Sequence, residues 1–478
     1  MKGQSSTYAL FFGNRGFFPS SLIAQARTDL PRILRQAGHE VLMLGETETN
    51  AGAVETAREG EMYADFLRRN RGRFDGAILC LPNFGDETGA VTALRDADVP
   101  ILIHAYPDEL DKMAPDCRRD AFCGKLSVAN VLRQSSVRFT LLEPHVIDPT
   151  TERFRSQLEF FDCVCRVVKG LRRMRVGAIG ARTTPFKTVR VDEMALERHG
   201  ITVETLDLAE VISRVKRAPK GAVYDRAAAA LRATSSWREV PDPAFENLVK
   251  LDVVLEDVVE EFGLDALAIR CWLELQKELG ISPCVVLGAL NDRGVSAACE
   301  VDIASAVAMR ALHLASGAAA ACLDWNNNYA DDPDKCVLFH CGPVPASLMA
   351  ETGQVCEHEI LKSSAGEGHT WGCNVGRLAP FDFTFGNLMT EDGSLHWYLG
   401  DGAITRDKIP ADFFGCGGVA YIRRLQGVLR HIMYCGHHHH VTLTPGNWVA
   451  PLREALETYL EHQVIVPQTR AGDFAASR

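Results

Sequence analysis

Short runs of small, β-branched and aliphatic residues, each followed by an amphipathic stretch, fill the first two thirds of the chain and restrict its fold more than any other feature. The opening third reads TYALFFGN (7–14), a helix opened by Ser20 or Ser21 and closed by Gly38, EVLML (40–44), DGAILCL (75–81), a helix from Asp86, and PILIHAY (100–106). Strands that are apolar on both faces belong to a parallel sheet covered by helices on both sides. Residues 1–165 are therefore expected to form one doubly wound α/β domain.

The pattern restarts after a long connecting helix over about 152–173. It runs through MRVGAIGAR (174–182), a helix through TVRVDEMALERHG, TVETLDL (202–208), further helices to about 262, DALAIRC (265–271) and PCVVLGAL (283–290). A helix over 300–316 and the run AAAACLDW (318–325) complete a second α/β domain, assigned to 166–345. Beyond it, glycine, proline and aromatics become more frequent. Short runs such as GRLAPFDFTFG and SLHWYLGDG alternate with turn signals, so 346–478 is expected to be an antiparallel, barrel-like β domain with YIRRLQGVLRHI as an inserted helix.

A net charge of −11 over 478 residues argues against nucleic acid, because nothing would neutralise a phosphate backbone over a broad surface. No apolar run is long enough for a membrane helix, and the first residues lack the apolar core of a secretion signal, so no membrane partner and a cytoplasmic location are expected. The 15 cysteines are odd in number and scattered, without a C-x-x-C pair. They read as reduced, mostly buried small residues.

Ligands of open parallel sheets bind beyond the carboxyl ends of the strands, which directs attention to the strand ends. FFGNRGFFP places Asn14 and Arg15 after the first strand. GNRG lacks the spacing of a dinucleotide loop, so Arg15 either binds a polar ligand or closes a surface turn. LPNFGDETG places Asn83, Asp86 and Glu87 at another strand-to-helix junction, with Asp86 as the helix cap and Asn83 or Phe84 as possible ligand contacts.

The acids of the second domain are more informative. Glu300 opens the helix EVDIASAVAMRALHL on the face of Ala304, Val307 and Ala311, where it is either a helix-dipole partner or a site residue. Asp324 closes the wholly apolar run AAAACL. A buried, unpaired carboxylate costs several kcal/mol, and a metal ion would compensate it.

Four consecutive histidines, His437, His438, His439 and His440, follow in YCGHHHHVTL, too far inside the chain and too few for an affinity tag. Read as a strand, His437 and His439 face one way and His438 and His440 the other. One ring suits a divalent metal, and one from the opposite face could bind substrate or move protons. Two carboxylates and one histidine describe an oxygen-rich Mn²⁺, Mg²⁺ or Co²⁺ site better than structural zinc. Such an ion acidifies a sugar hydroxyl and polarises a carbonyl, and a flanking carboxylate can then move a proton between neighbouring carbons through an enediol.

GNRGFFP, CEVD and CLDWNNNY with 24 positions from Glu300 to Asp324, then FHCGPVP, then VLR-I---G-HHHV resemble, in their order and spacing, the L-fucose isomerase and L-arabinose isomerase superfamily, especially its fucose-isomerase-like branch. The resemblance covers essentially the full length. It implies an α/β chain of two Rossmann-like doubly wound domains followed by a β-rich C-terminal domain. It implies an aldose–ketose isomerase acting on a pentose, hexose or deoxysugar, possibly anionic, with Mn²⁺ or a similar ion. Glu300 and Asp324 match the two metal-binding acids and would also transfer the proton. Aligned on Gly436, the family's local patterns select His438 with His439 or His439 with His440, and one with the histidine directly after the glycine would choose His437; His439, common to the first two, is the expected ligand, with His437, His438 and His440 beside the substrate. His340 lies where the arabinose branch has a further histidine. Arg15 and Asn83 fall where a neighbouring subunit touches the sugar in a hexamer with shared active sites. A non-catalytic sugar-binding or regulatory protein of the same fold is the alternative, and a metal-dependent sugar lyase or epimerase the third reading.

Overall fold

The computed structural model of the protein describes residues 5–468. The chain forms two compact units, one running to Lys169 and taking in Glu454–Glu461, the other holding Gly170–Arg453 and the segment from His462. In the first unit, β1 (Thr7–Phe12), β2 (Glu40–Met43), β3 (Gly76–Leu81) and β4 (Ile101–Ala105) form a parallel sheet in the order β2-β1-β3-β4. Alternate residues feed two cores. Ala9, Phe11, Leu79 and Ile103 enter one, while Tyr8, Leu10, Ile78 and Leu102 enter the other. That is why these strands read as unbroken apolar runs rather than as alternation. The first helix spans Ser21–Gln36, with Ser20 as its N-cap. Asp86 caps Glu87–Leu94 by accepting from the Gly89 amide at 2.7 Å, as its position in the sequence implies.

The connecting helix spans Glu152–Leu171. The second unit then repeats the arrangement with β5 (Met174–Ile179), β6 (Ile201–Leu206), a two-residue β7 (Ser235–Ser236), β8 (Ala266–Ile269) and β9 (Ser296–Cys299). The parallel sheet has the order β6-β5-β8-β9. PCVVLGAL, read among the strands, is instead the helix Cys284–Asp292, buried from Cys284 through Asn291. A segment buried all round has no polar face, so its period is invisible in the sequence. The fourth strand is the short β9 that follows it.

The rest of the second unit holds β10 (Ala321–Asn328), β11 (Lys335–His340), β12 (Gly353–Glu357), β13 (Trp371–Arg377), β14 (Phe381–Glu391), β15 (Ser394–Ile404), β16 (Cys416–Tyr421), β17 (His440–Pro445) and β18 (Gln463–Ile465). With β7 they make one large mixed sheet, β18-β15-β14-β17-β10-β11-β16-β13-β12-β7. An extra antiparallel pairing of β15 with β16 joins β15, β14, β17, β10, β11 and β16 into a ring of antiparallel neighbours. The AAAACLDW run, expected at the edge of the second parallel sheet, supplies β10 of this ring. Strands β10 and β11 thus belong to the mixed sheet although they precede residue 345. Among the described residues, no helix is long and apolar enough to cross a membrane.

Candidate metal centre and sugar cavity

After Cys299 ends β9, the backbone turns left-handed twice, with φ 63° at Glu300 and 57° at Val301. Each such non-glycine residue costs about 1–3 kcal/mol, a strain found where function holds it in place. Asp302 then caps the helix Ile303–Ser316, accepting from the Ser305 amide at 2.9 Å and its hydroxyl at 2.5 Å. Glu300 therefore sits in the turn before the helix, not on its apolar face. The helical spacing that linked it to Ala304, Val307 and Ala311 does not apply, because the helix starts three residues later.

Asp324 lies within β10, not at its end, since the strand continues to Asn328. In the register it stands directly opposite His440, the first residue of β17. Residues so paired project to the same face of a sheet. His440 Nε2 lies 3.4 Å from Asp324 Oδ1 and 3.2 Å from Glu300 Oε2. One strand pairing and one strained turn thus bring three residues, far apart in the chain, to one point.

The histidine run does not alternate as a strand. The helix Leu425–Cys435 ends on Gly436, whose φ of 78° suits glycine, and His437–His439 pass in irregular backbone before β17 begins. His440 is held at both ends. Its carbonyl accepts from Asn387 Nδ2 at 3.0 Å and the Tyr398 hydroxyl at 3.2 Å, and its Nδ1 lies 2.6 Å from Asp302 Oδ2. Burial pushes the Asp302 carboxyl upward, but His438, His440 and the Ser305 hydroxyl outweigh it and keep the group below the usual carboxylate range. An ionised carboxylate only accepts, so His440 carries a proton on Nδ1 and turns Nε2 toward Glu300 and Asp324; burial lowers the ring, but Cys322, Asp302 and Glu300 outweigh it and hold it above the usual histidine range while no cation shares the site.

His340 at the end of β11 has the opposite polarity. The Cys341 amide donates to its Nδ1 at 2.9 Å, so the proton of the neutral ring sits on Nε2, 3.9 Å from Glu300 Oε2. It is built to donate a hydrogen bond rather than to coordinate through Nε2. The three others differ again. His439 is 44% exposed at its side chain, reaches Asp324 at 3.4 Å, and lies edge-on to Phe186. His438 lies 3.4 Å from Asp302 and edge-on to the His440 ring. His437 packs against Tyr398 and His431. Burial, followed by neighbouring rings, lowers His439 to about 4 and His437 to about 3, so both are neutral near pH 7.

Three overlapping groups have metal-binding composition and spacing: Glu300, His340 and His440; Asp302, His438 and His440; Asp324, His439 and His440. His440 is common to all of them. Glu300 Oε2 and Asp324 Oδ1 are buried without any hydrogen-bond donor, whereas Asp302 is fully partnered. Burial also raises the Asp324 carboxyl, against the pull of His340 and His440. Two buried carboxylate oxygens that meet at one ring nitrogen repel one another unless a proton or a cation lies among them. The residues present therefore fit a divalent ion. Asp302 escaped the sequence reading. Its only signal was an acid at a helix start two positions after Glu300.

Both acids and His340 open into a cavity of about 190 Å³, walled by Trp272, Phe339 and His358 among others. A wider hollow of about 580 Å³ lies at the carboxyl ends of β5 and β6, but its Lys216 and Arg270 are already paired with Glu278 and Glu274. Arg15 and Asn83 belong to the first unit, and the acid–histidine cluster is built from second-unit residues alone. Arg15 pairs with Glu87 and stacks on Phe84 at 4.2 Å, and Asn83 is buried and bonded to Asn14.

Residues 9–172 match the family described as Fucose/sulfoquinovose isomerase, N-terminal domain, and residues 338–467 match L-fucose isomerase, C-terminal domain. A sulfoquinovose isomerase of Alkalicoccus urumqiensis is 24% identical over 325 residues, covering 68% of this chain and 72% of its own length. Its namesake in Priestia megaterium (strain ATCC 12872 / QMB1551) is 23% identical, over 62% of this chain and 65% of its own. A third, from Clostridium sp. (strain MSTE9), is 26% identical over 55% of this chain and 58% of its own. The solved glycosyltransferase SnogD from Streptomyces nogalater aligns at a TM-score of only 0.15, with 15% identity over 66% of this chain and 90% of its own, which is too low to bear on the fold. The chain belongs to the fucose isomerase-like family, and it is an aldose–ketose sugar isomerase.

Proposed function

We propose that this isomerase depends on a divalent ion, Mn²⁺ first, with Mg²⁺ and Co²⁺ as alternatives, held by Glu300, Asp324 and His440, and that it converts an anionic hexose of the sulfoquinovose type into its ketose. The observation that carries the metal is the pair of buried, donorless oxygens of Glu300 and Asp324 converging on the His440 nitrogen that Asp302 leaves free. The relatives' names suggest the substrate. This reading moves the ligand role from His439, which reaches only Asp324, to His440, which reaches both acids. When bound, such an ion acidifies a sugar hydroxyl and polarises the carbonyl.

The chain supplies the remaining chemistry. Glu300 and Asp324 are the acids that take the proton from C2 and return it to C1, with an enediol between the two steps. His340 Nε2–H donates to a sugar oxygen beside them, and Trp272 and Phe339 shield the transfer from water. His437, His438 and His439 stand behind or beside this centre, with His439 nearest the sugar. The family resemblance supports a homo-oligomer, the hexamer, in which Arg15 and Asn83 of one subunit contact the sugar held by a neighbour. Light scattering tests the assembly, and a stable monomer ends that assignment.

The test of the main reading is turnover of sulfoquinovose followed by NMR in deuterated water. Chelation should abolish it, Mn²⁺ should restore it, and recovered aldose should carry deuterium at C2. Full activity with metal removed below stoichiometry overturns the metal. Product without exchange overturns the enediol route.

A further inference from the structure

The cavity that Glu300 and Asp324 open into is also lined by a histidine with one unpartnered ring nitrogen. His358 follows β12 and is 7% exposed. Its backbone is tied down: its amide donates to the Thr370 carbonyl at 2.9 Å, and its own carbonyl accepts from the Leu361 amide at 3.0 Å and the Lys362 amide at 3.2 Å. Its ring packs against Phe414, with centroids 5.4 Å apart. Nδ1 is nevertheless buried without a hydrogen-bond partner. Buried polar atoms in native proteins are almost always satisfied, so an orphan beside a cavity points to a group that enters the cavity.

The other wall residues leave little competition. The Ser282 hydroxyl is used, accepting from Gln276 Nε2 at 2.9 Å and donating to the Thr370 carbonyl at 3.2 Å. Cys284 and Cys341 face each other with sulfurs 3.6 Å apart and are weak donors. Trp272, Phe339, Ile360 and Leu361 are largely apolar, and neither lysine nor arginine lines the cavity. The nearby Lys362 is committed to Glu359 at 2.7 Å and Glu357 at 3.4 Å. Apart from His340, which faces Glu300, His358 is the cavity-lining side chain able to carry a positive charge.

We propose that His358 is a substrate-binding residue that recognises the anionic substituent at the end of the sugar remote from C1 and C2. This rests on the site reading above: with C1 and C2 at Glu300 and Asp324, C6 of a hexose must reach another part of the cavity, and an anionic group there needs a donor. The imidazole supplies it by hydrogen bond. It is a specificity determinant and takes no part in the proton transfer.

The experiment compares sulfoquinovose with quinovose, the same sugar lacking the sulfonate, on Mn²⁺-loaded wild type, His358→Gln and His358→Ala. His358→Gln keeps most of the side-chain volume and guards against misfolding in the alanine variant. A charge-assisted hydrogen bond lost from a dry site corresponds to about a 10- to 100-fold fall in kcat/KM for sulfoquinovose. On quinovose the fall should be at most about three-fold, and Mn²⁺ affinity by titration should match wild type. An equal loss on both sugars, or a weakened Mn²⁺ site, makes His358 structural and overturns the proposal. If wild type turns over neither sugar, the isomerase reading fails first, and calorimetry of sulfoquinovose binding then decides His358. Weaker binding by His358→Gln sustains it, while equal binding, or none by wild type, overturns it.

Discussion

The two parallel sheets share a strand order, yet their carboxyl edges are finished differently. In the first sheet the loops after β1 and β3 pair with each other. Asn83 donates to Asn14, Asn14 to Glu55, Arg15 donates to the Gly85 carbonyl and pairs with Glu87, and Ser127 donates to Glu87. Each of these polar groups has a partner within the same unit. In the second sheet the loop after β9 leaves Glu300 Oε2 without a donor, and the neighbouring β10 does the same with Asp324 Oδ1. A polar edge that satisfies itself stabilises a fold. Buried acceptors without donors are costly, and at this edge two of them meet, which is the observation behind the proposed ion.

The contrast is best broken by neutralising a carboxylate at each edge. Glu300→Gln and Asp324→Asn should lower kcat by about 10²- to 10⁴-fold, the range of a lost general acid–base group, while Glu87→Gln, which touches the sugar only through Arg15, should lower it by less than about ten-fold in the same assay. Comparable losses at both edges would erase the distinction drawn between them. A finer test concerns the partnered acid of the second edge. Asp302→Ala frees the His440 ring and should weaken Mn²⁺ binding by about 10- to 100-fold, measured by titration of metal-free protein. Unchanged affinity would show that the strand pairing alone orients His440.

Acid stability sharpens the comparison from the first unit. His104 on β4 has no hydrogen-bond partner at either nitrogen, and burial, assisted by Lys125, lowers it to about 3. Below the ordinary histidine pKa of about 6.5 the unfolded chain takes up a proton that the folded chain refuses, so stability falls with pH from about 6.5 down to about 3. The slope is about 1.4 kcal/mol per pH unit, and His104→Phe should remove that share between pH 6 and 4 in urea unfolding. An unaltered slope would mean that the ring titrates in the native state. The smallest effect belongs to Arg15→Met. Its pair with Glu87 is about a quarter exposed, so the loss in unfolding free energy should be within about 1 kcal/mol.

Much of this site was legible before the fold. An acid after AAAACL and a cluster of imidazoles are conspicuous because each is costly to bury without a partner, so Asp324 and the histidine run stood out from composition alone. Glu300 was also singled out as a candidate, although for a geometry it does not have. Its left-handed turn leaves no trace in residue type, and the spacing to Ala304 imitated a helix face. Asp302 looked like an ordinary cap. The choice among four adjacent histidines could not be read either, because Gly436 ends a helix there and β17 starts only at His440.

Local chemistry therefore determined which segments pair into covered parallel sheets and which residues could not be buried alone. Tertiary structure decided that β10 leaves the parallel pattern to stand beside β17, that His440 rather than His439 meets both acids, and that Asp302 holds the His440 ring. The reason is physical. Periodicity and cost of burial are properties of a segment, whereas register, ring tautomer and an empty hydrogen-bond direction exist only between segments that the fold has brought together.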